Sequence, residues 1–203
     1  FILWGCSNED DTISITNPEI DYSQTQLTTT FLSEESSSAL NINWNGEQGN
    51  LSIVPQIDGL SINGNSGVLS WSRFLKPGNY NFQVIASNSA GQKTIDITLE
   101  NEFEGTFTGT YDNVQFFEFE FFRNGEVGVR ANSETSPDIA VGTWEFRDEG
   151  LYATYSYQGD SNIFSTLGDL TVTSTQATYN GNWYFGEEAE ASNGEGTFEL
   201  SLN

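Results

Sequence analysis

The sequence predicts an all-β chain: a β-sandwich of two packed sheets, then an antiparallel up-and-down barrel of about eight strands. Three observations carry this. Apolar and polar residues alternate with period two along most of the chain, and helical periodicity is nearly absent. Turn dipeptides recur at short intervals: Asn45-Gly46, Gln48-Gly49, Asp58-Gly59, Asn63-Gly64, Pro77-Gly78, Asn124-Gly125, Asn180-Gly181 and Asn193-Gly194. Asn-Gly between alternating stretches favours hairpins, because both residues tolerate the positive φ of a type I′ turn. Composition also changes near residues 99–103, from Ile, Leu, Val and Ser to Phe, Trp and Tyr. There Glu100-Asn101-Glu102 interrupts the alternation of Ile95, Ile97 and Leu99 and reads as a boundary. The organisation expected is a leader remnant, Cys6 and an acidic tether in 1–12, a sandwich in 13–100 and a barrel in 103–203. Residues 32–40, with a Ser-Glu-Glu-Ser run, read equally as a helical turn or a loop.

Composition narrows the chemistry. The 203 residues hold 6 Lys plus Arg against 29 Asp plus Glu, a formal charge of −23. Such a surface repels phosphate, which excludes nucleic acid as a partner and disfavours an anionic membrane face. The charge reads as a solubility device in a saline or extracellular medium. Aromatic residues make up 14% of the chain, enough to build a core and argue against wholesale disorder. There is no His, so the commonest general base and zinc ligand is missing. The single Cys6 has no partner for an internal disulfide or a thiolate metal site. No catalytic residue, metal or cofactor is expected.

The N-terminus gives the compartment. The chain opens with Phe rather than Met, which reads as a piece of a longer frame or a processed product. Residues 1–4 are far too few to span a bilayer, which takes roughly 20. They read as the tail of a signal-peptide apolar region ending at Gly5. Leu3-Trp4-Gly5-Cys6 resembles the lipobox of bacterial lipoproteins, with Trp4 where a small residue is usual. The acidic Ser7-Asn8-Glu9-Asp10-Asp11 that follows is similar to the stretch behind the lipid-bearing Cys of surface lipoproteins in Bacteroidetes. The resemblance implies lipid attachment at Cys6, an outer-membrane location and exposure at the cell surface. Each buried CH₂ of such an anchor contributes ~0.8 kcal/mol, so several acyl chains hold stably. Residues 7–12 then form a charged tether that extends by self-repulsion.

In 13–100, Tyr80, Phe82, Val84 and Ala86 alternate onto one face and Ile95, Ile97 and Leu99 onto another. That pattern suits two sheets packed about 10 Å apart. Gly59-Leu60-Ser61-Ile62 with Ser66-Gly67-Val68-Leu69, followed by Pro77-Gly78-Asn79-Tyr80-Asn81-Phe82, resembles the Ig- or cadherin-like modules of bacterial surface proteins. Ser70-Trp71-Ser72-Arg73 stands where that family often has Gly-x-Pro. The resemblance implies a spacer or adhesive unit. The acidic linker motifs of calcium-binding cadherins are absent from the sequence.

In 103–203 the alternation is cleaner. Phe103, Gly105, Phe107, Gly109 and Tyr111 share a face, as do Phe117, Phe119 and Phe121. So do Trp144 and Phe146, then Tyr179, Gly181, Trp183 and Phe185, then Phe198, Leu200 and Leu202. Antiparallel sheets with one solvated face read this way. The units Gly105-Thr106-Phe107, Gly142-Thr143-Trp144, Gly181-Asn182-Trp183 and Gly196-Thr197-Phe198 resemble lipocalin-like small barrels of bacterial lipoproteins.

An eight-stranded barrel is filled by side chains or holds one small molecule. Trp144, Tyr155, Tyr157 and Trp183 are the candidates to line one mouth as a stacking platform for a sugar or flat apolar compound. Glu118 and Glu120, two residues apart on a strand, are a carboxylate pair for a hydrolase, or simply part of a solvated face. The leading expectation is a non-enzymatic surface lipoprotein that binds a protein of an outer-membrane complex or a glycan. A small-ligand carrier is the alternative, and a carboxylate hydrolase the third reading.

Overall fold

The computed structural model describes residues 14–173, 176–189 and 194–202. Cys6, the acidic tether and Asn193 lie outside the described residues. All regular structure among the described residues is β. The chain divides into two compact units. Among the described residues, one is formed by those up to Leu27 with Glu35–Trp71 and Tyr80–Leu99; the other takes Thr28–Glu34, Ser72–Asn79 and those from Glu100 onward.

The first unit is built on β1 (Glu19–Asp21), β2 (Gln26–Thr30), β3 (Glu35–Ser36), β4 (Asn41–Asn43), β5 (Asn50–Val54), β6 (Leu60–Ile62), β7 (Leu69–Trp71), β8 (Gly78–Asn88) and β9 (Gly91–Glu102). A four-stranded sheet runs β2-β9-β8-β5, a three-stranded one β3-β7-β6, and β1 pairs with β4. The alternation read from the sequence is the one that packs: Phe82, Val84, Ala86, Ile97 and Leu99 are buried, joined by Leu60, Leu69 and Trp71 of the smaller sheet. Tyr22 donates its hydroxyl hydrogen bond to the Gly67 carbonyl.

Of the two readings of residues 32–40 the loop holds: a turn with Leu32 at φ 64° and irregular chain around the two-residue β3. One local expectation changes. Glu100-Asn101-Glu102 does not break the strand, because β9 runs through Glu102. Asn101 is inward and buried, and its Nδ2 donates to the carbonyls of Leu75 at 2.8 Å and Lys76 at 3.0 Å. Backbone acceptors meet its N–H groups on the inward face, while its Oδ1 is buried with no partner among the described residues.

The second unit is an antiparallel closed barrel of eight strands in sequence order. They are β10 (Gly105–Tyr111), β11 (Gln115–Phe121), β12 (Glu126–Asn132), β13 (Asp138–Arg147), β14 (Gly150–Tyr157), β15 (Phe164–Val172), β16 (Ala177–Phe185) and β17 (Gly196–Leu202). β17 closes on β10, pairing Phe107 with Leu202 and Tyr111 with Phe198. Closure removes both sheet edges, which an open meander would leave as templates for aggregation. Asn180-Gly181 marks no turn. Both lie inside β16, where Gly181 pairs with Gly168 of β15.

The interior is filled from one end to the middle. Phe107, Phe119, Phe121, Leu151, Tyr179, Phe198 and Leu200 are almost wholly buried there. One end is closed by Phe103, whose ring contacts Phe31, Phe107, Phe121, Trp144 and Phe146 with centroids 5.1–6.1 Å apart. Outside the barrel, Tyr152, Leu167 and Tyr184 form a small buried cluster with Ala189. The chain after β16 holds this cover in place: Gly186 N donates to Ile163 O, Ser165 Oγ to Gly186 O, and the Tyr152 hydroxyl to Glu187 O.

Candidate functional site

At the end of the barrel away from Phe103, the register brings the last residues of β10, β12, β14 and β16 beside the first of β11 and β15. Tyr111 pairs with Gln115, Phe116 with Asn132, Ala140 with Tyr157, Tyr155 with Phe164 and Trp183 with Gly196. Inward side chains at this level surround a cavity of about 190 Å³ lined by Tyr111, Phe117, Tyr155, Tyr157, Phe164, Trp183 and Asn132.

The six rings hold one another mostly edge to face. Trp183 meets Tyr111 at 6.1 Å between centroids, Tyr111 meets Phe117 at 5.2 Å, and Phe117 meets Tyr155 at 6.4 Å. Tyr155 stacks on Phe164 at 5.9 Å with planes only 17° apart, and Tyr157 packs edge-on against both. Such pairs orient rings beyond simple apolar burial and fix the wall of the cavity. Below, Tyr155 rests on Phe119 of the filled interior.

The rim is polar and acidic. The turn after β10 places Asp112 and Asn113 at positive φ (47° and 67°), a conformation Asp and Asn tolerate better than most residues. Asp112 N donates to Thr197 O at 2.8 Å, while Asp112 Oδ1 accepts from Trp183 Nε1 at 3.2 Å and Thr197 N at 3.3 Å. Across the mouth the Tyr111 hydroxyl donates to Asn132 Oδ1, and Asn132 Nδ2 donates to Asp138 Oδ2.

The phenols at this mouth have pKa values raised above that of a free phenol. Burial raises the Tyr155 pKa well above its ordinary value, with smaller contributions from Tyr157, Tyr179 and Tyr111. Burial raises Tyr157 too, aided by Tyr111 and Asp138. Tyr111 is raised by burial, then by the charges of Asp112 and Asp138. Tyr155 is only 4% exposed, and its hydroxyl has no hydrogen-bond partner among the described residues. The hydroxyl is not among the fully enclosed polar atoms, so it is a free hydrogen-bonding group on the cavity wall.

Of the residues singled out from the sequence, Tyr155, Tyr157 and Trp183 come together here. Trp144 does not. It pairs with Ala153, while Tyr155 pairs with Gly142, so Trp144 lies two residues farther from the mouth along β13. Its indole N–H donates to Phe122 O at 2.8 Å and its ring packs on Phe103 at the closed end. Trp144 also borders a separate, more open hollow of about 720 Å³ with Arg147, Tyr152, Glu187 and Glu188, whose lining is mainly polar. Glu118 and Glu120 face outward. Glu118 Oε1 accepts from Arg130 Nη1 at 2.7 Å and its Oε2 from Thr108 Oγ1 at 3.0 Å. Neither carboxylate lines the mouth.

Four lining residues were not among the sequence candidates. Tyr111 and Phe117 carried the signal of inward alternation but no sign of their height in the barrel. Asn132, at φ 69°, and Phe164, first residue of its strand, had no signal at all.

The comparisons agree with the first unit. Residues 8–102, just under half of the chain, match the family model described as "Putative Ig domain". No curated protein matched the chain. The chain is thus similar to that family over its sandwich, and it carries an Ig-like domain followed by a closed antiparallel eight-stranded barrel.

Proposed function

We propose that this chain is a non-enzymatic binding protein whose barrel receives a small ligand at its aromatic mouth. The observation that carries the reading is the convergence of six aromatic side chains on one cavity, with the unpaired Tyr155 hydroxyl among them. Ligand sites are typically apolar concavities with a few placed polar groups, at barrel mouths among other places. The filled lower half supports this as a rigid floor. The lipobox-like Cys6 and the acidic residues behind it support a lipid anchor on the outer surface of a Bacteroidetes-type outer membrane, with the Ig-like domain as spacer.

Thermal unfolding with and without small organic compounds tests the site, since a ligand that binds only the folded state raises its stability. Compounds that raise Tm should lose the effect in Tyr157→Ala and Trp183→Ala variants. A broad panel of sugars, apolar rings and small ions with no shift overturns the reading. The anchor is tested by intact mass of the protein from native membranes. A mass that begins at Cys6 with added acyl chains is expected, and an unlipidated soluble product overturns it.

A second reading, a protein or glycan partner on the barrel's outside, is favoured by exposed apolar residues. Val114, Ile139 and Val141 are 74%, 37% and 63% exposed. Stoichiometric co-purification lost on Ile139→Ser and Val141→Ser substitution is the expected result. Recovery of the protein alone under mild detergent overturns this second reading.

A further inference from the structure

We infer that the aromatic mouth selects an organic cation, an ammonium head group, over neutral and anionic molecules of the same size. The inference rests on the mouth being a ligand site and names the chemistry of what fits it. Ring faces are electron-rich, and several of them around one point attract a cation, most of all a weakly hydrated one such as a quaternary ammonium group. Six rings meet around this cavity, and no Lys or Arg lines it.

The rim adds net negative charge on two sides. Asp112 is held by the indole N–H of Trp183, and Asp138 by the amide of Asn132. Neither carboxylate is ion-paired to Lys or Arg among the described residues; Arg123, Arg130 and Arg147 instead pair with Glu102, Glu104, Glu118 and Glu145. Both charges reach the cavity wall, for they act on the Tyr111 phenol, and Asp138 acts on Tyr157 as well. A shallow recess of about 450 Å³ shares Asn132 and Tyr157 with the cavity and extends it past Asp138 to Asp160.

Size agrees with a compact head group. The cavity equals roughly six times the share of one water in the liquid, ~30 Å³. The unpaired Tyr155 hydroxyl on the cavity wall offers an acceptor to an N–H or polarised C–H of the ligand. A sugar also stacks on rings, but gains little from rim carboxylates already held by Trp183 and Asn132. An anion is repelled by the rim and by the chain's overall charge of −23.

The test is calorimetric titration of the full chain with choline and n-butylammonium, against 3,3-dimethylbutan-1-ol, the uncharged counterpart of choline, and against glucose and acetate. The cations are expected to bind roughly tenfold or more tightly than the uncharged counterpart, a preference that weakens with added salt. Asp138→Asn keeps an acceptor for Asn132 and removes the charge. It should weaken the cations several-fold and leave dimethylbutanol unchanged. If dimethylbutanol or glucose binds as tightly as choline, the cation inference fails while the ligand site stands. If Asp138→Asn leaves the preference intact, the inference fails in its electrostatic part. If no compound binds, both the inference and the ligand site are overturned.

Discussion

Gly168 and Gly181 face each other across β15 and β16 so closely that a Cβ on Gly181 would lie 2.4 Å from the Gly168 Cα and 2.2 Å from the Leu167 carbonyl oxygen. Phe198 of β17, paired with Gly181, occupies the room the two missing side chains leave; its ring lies 3.0 Å from where a Gly168 Cβ would be. The strands curve tightly here because neither glycine has anything to place inside. Gly181→Ala forces backbone to move against backbone, and overpacking of this kind costs about 1–3 kcal/mol or more. Urea unfolding of the variant should show that loss. A midpoint unchanged within error would mean the barrel relaxes freely at this point.

Tyr179 is the largest fully buried side chain. Its hydroxyl hydrogen-bonds with the Leu151 carbonyl at 3.0 Å and the Thr166 hydroxyl at 2.9 Å. Tyr179→Phe keeps the ring and strands both partners in the interior, which should cost about 1–3 kcal/mol. The paired change Tyr179→Phe with Thr166→Val should recover part of that, since no orphaned hydroxyl remains. Chemical denaturation of the two variants decides it, and equal stability of wild type and single variant would discount the bonds.

Stability should fall on the alkaline side. Burial raises the pKa values of Tyr155, Tyr157 and Tyr179, and that of Tyr22 to about 12. In the unfolded chain phenols titrate near ~10. Below that pH both states keep the proton and the contribution to stability is fully present. Above it the unfolded chain loses protons that the folded one retains, so stability drops by up to ~1.4 kcal/mol per pH unit for each such tyrosine. For Tyr22 the loss is complete once pH passes its folded value of about 12. Thermal scans should show Tm declining only above the unfolded phenol pKa, with much of the tyrosinate absorbance appearing together with unfolding. Free titration of every tyrosine in the folded state would contradict this.

Glu118→Gln should be mild. The Glu118–Arg130 pair sits on the outer face with the Arg130 side chain 42% and the Glu118 side chain 14% exposed, so it contributes toward the upper end of the about 0–1 kcal/mol typical of surface pairs. Arg130 keeps its place over the Phe116 ring and its bond to Glu134 O. Ligand binding at the mouth should be untouched. A large loss of any measured activity would revive a carboxylate-based role for Glu118.

Alternation told which face of each barrel strand points inward, and Phe117, Phe119 and Phe121 lie where it put them. It did not tell how high along the barrel each inward residue stands, because that depends on register and stagger between strands far apart in sequence. Trp144 and Tyr155 read alike in the sequence, yet one packs at the closed end and the other at the open one. Nor did it show that outward-facing Tyr152, Leu167 and Tyr184 are buried. Their cover is a non-repetitive segment around Gly186–Ala189 held through backbone carbonyls, which have no side-chain signature. Asn101 misled for a related reason. A polar residue inside an apolar alternation looks like a stop, and only the acceptors at Leu75 and Lys76 make it a continuation.

Phe103 and its neighbours make the barrel a blind tube. Whatever enters at Tyr111 and Trp183 must leave the same way, so two molecules cannot pass through in sequence or occupy the interior from opposite ends. For a ligand of the kind proposed, exchange would then be competitive and its speed set at one opening. The hairpin turns at Asp112 and around Asn132 stand beside that opening, so control of residence time would fall to a few turn residues rather than to the barrel wall.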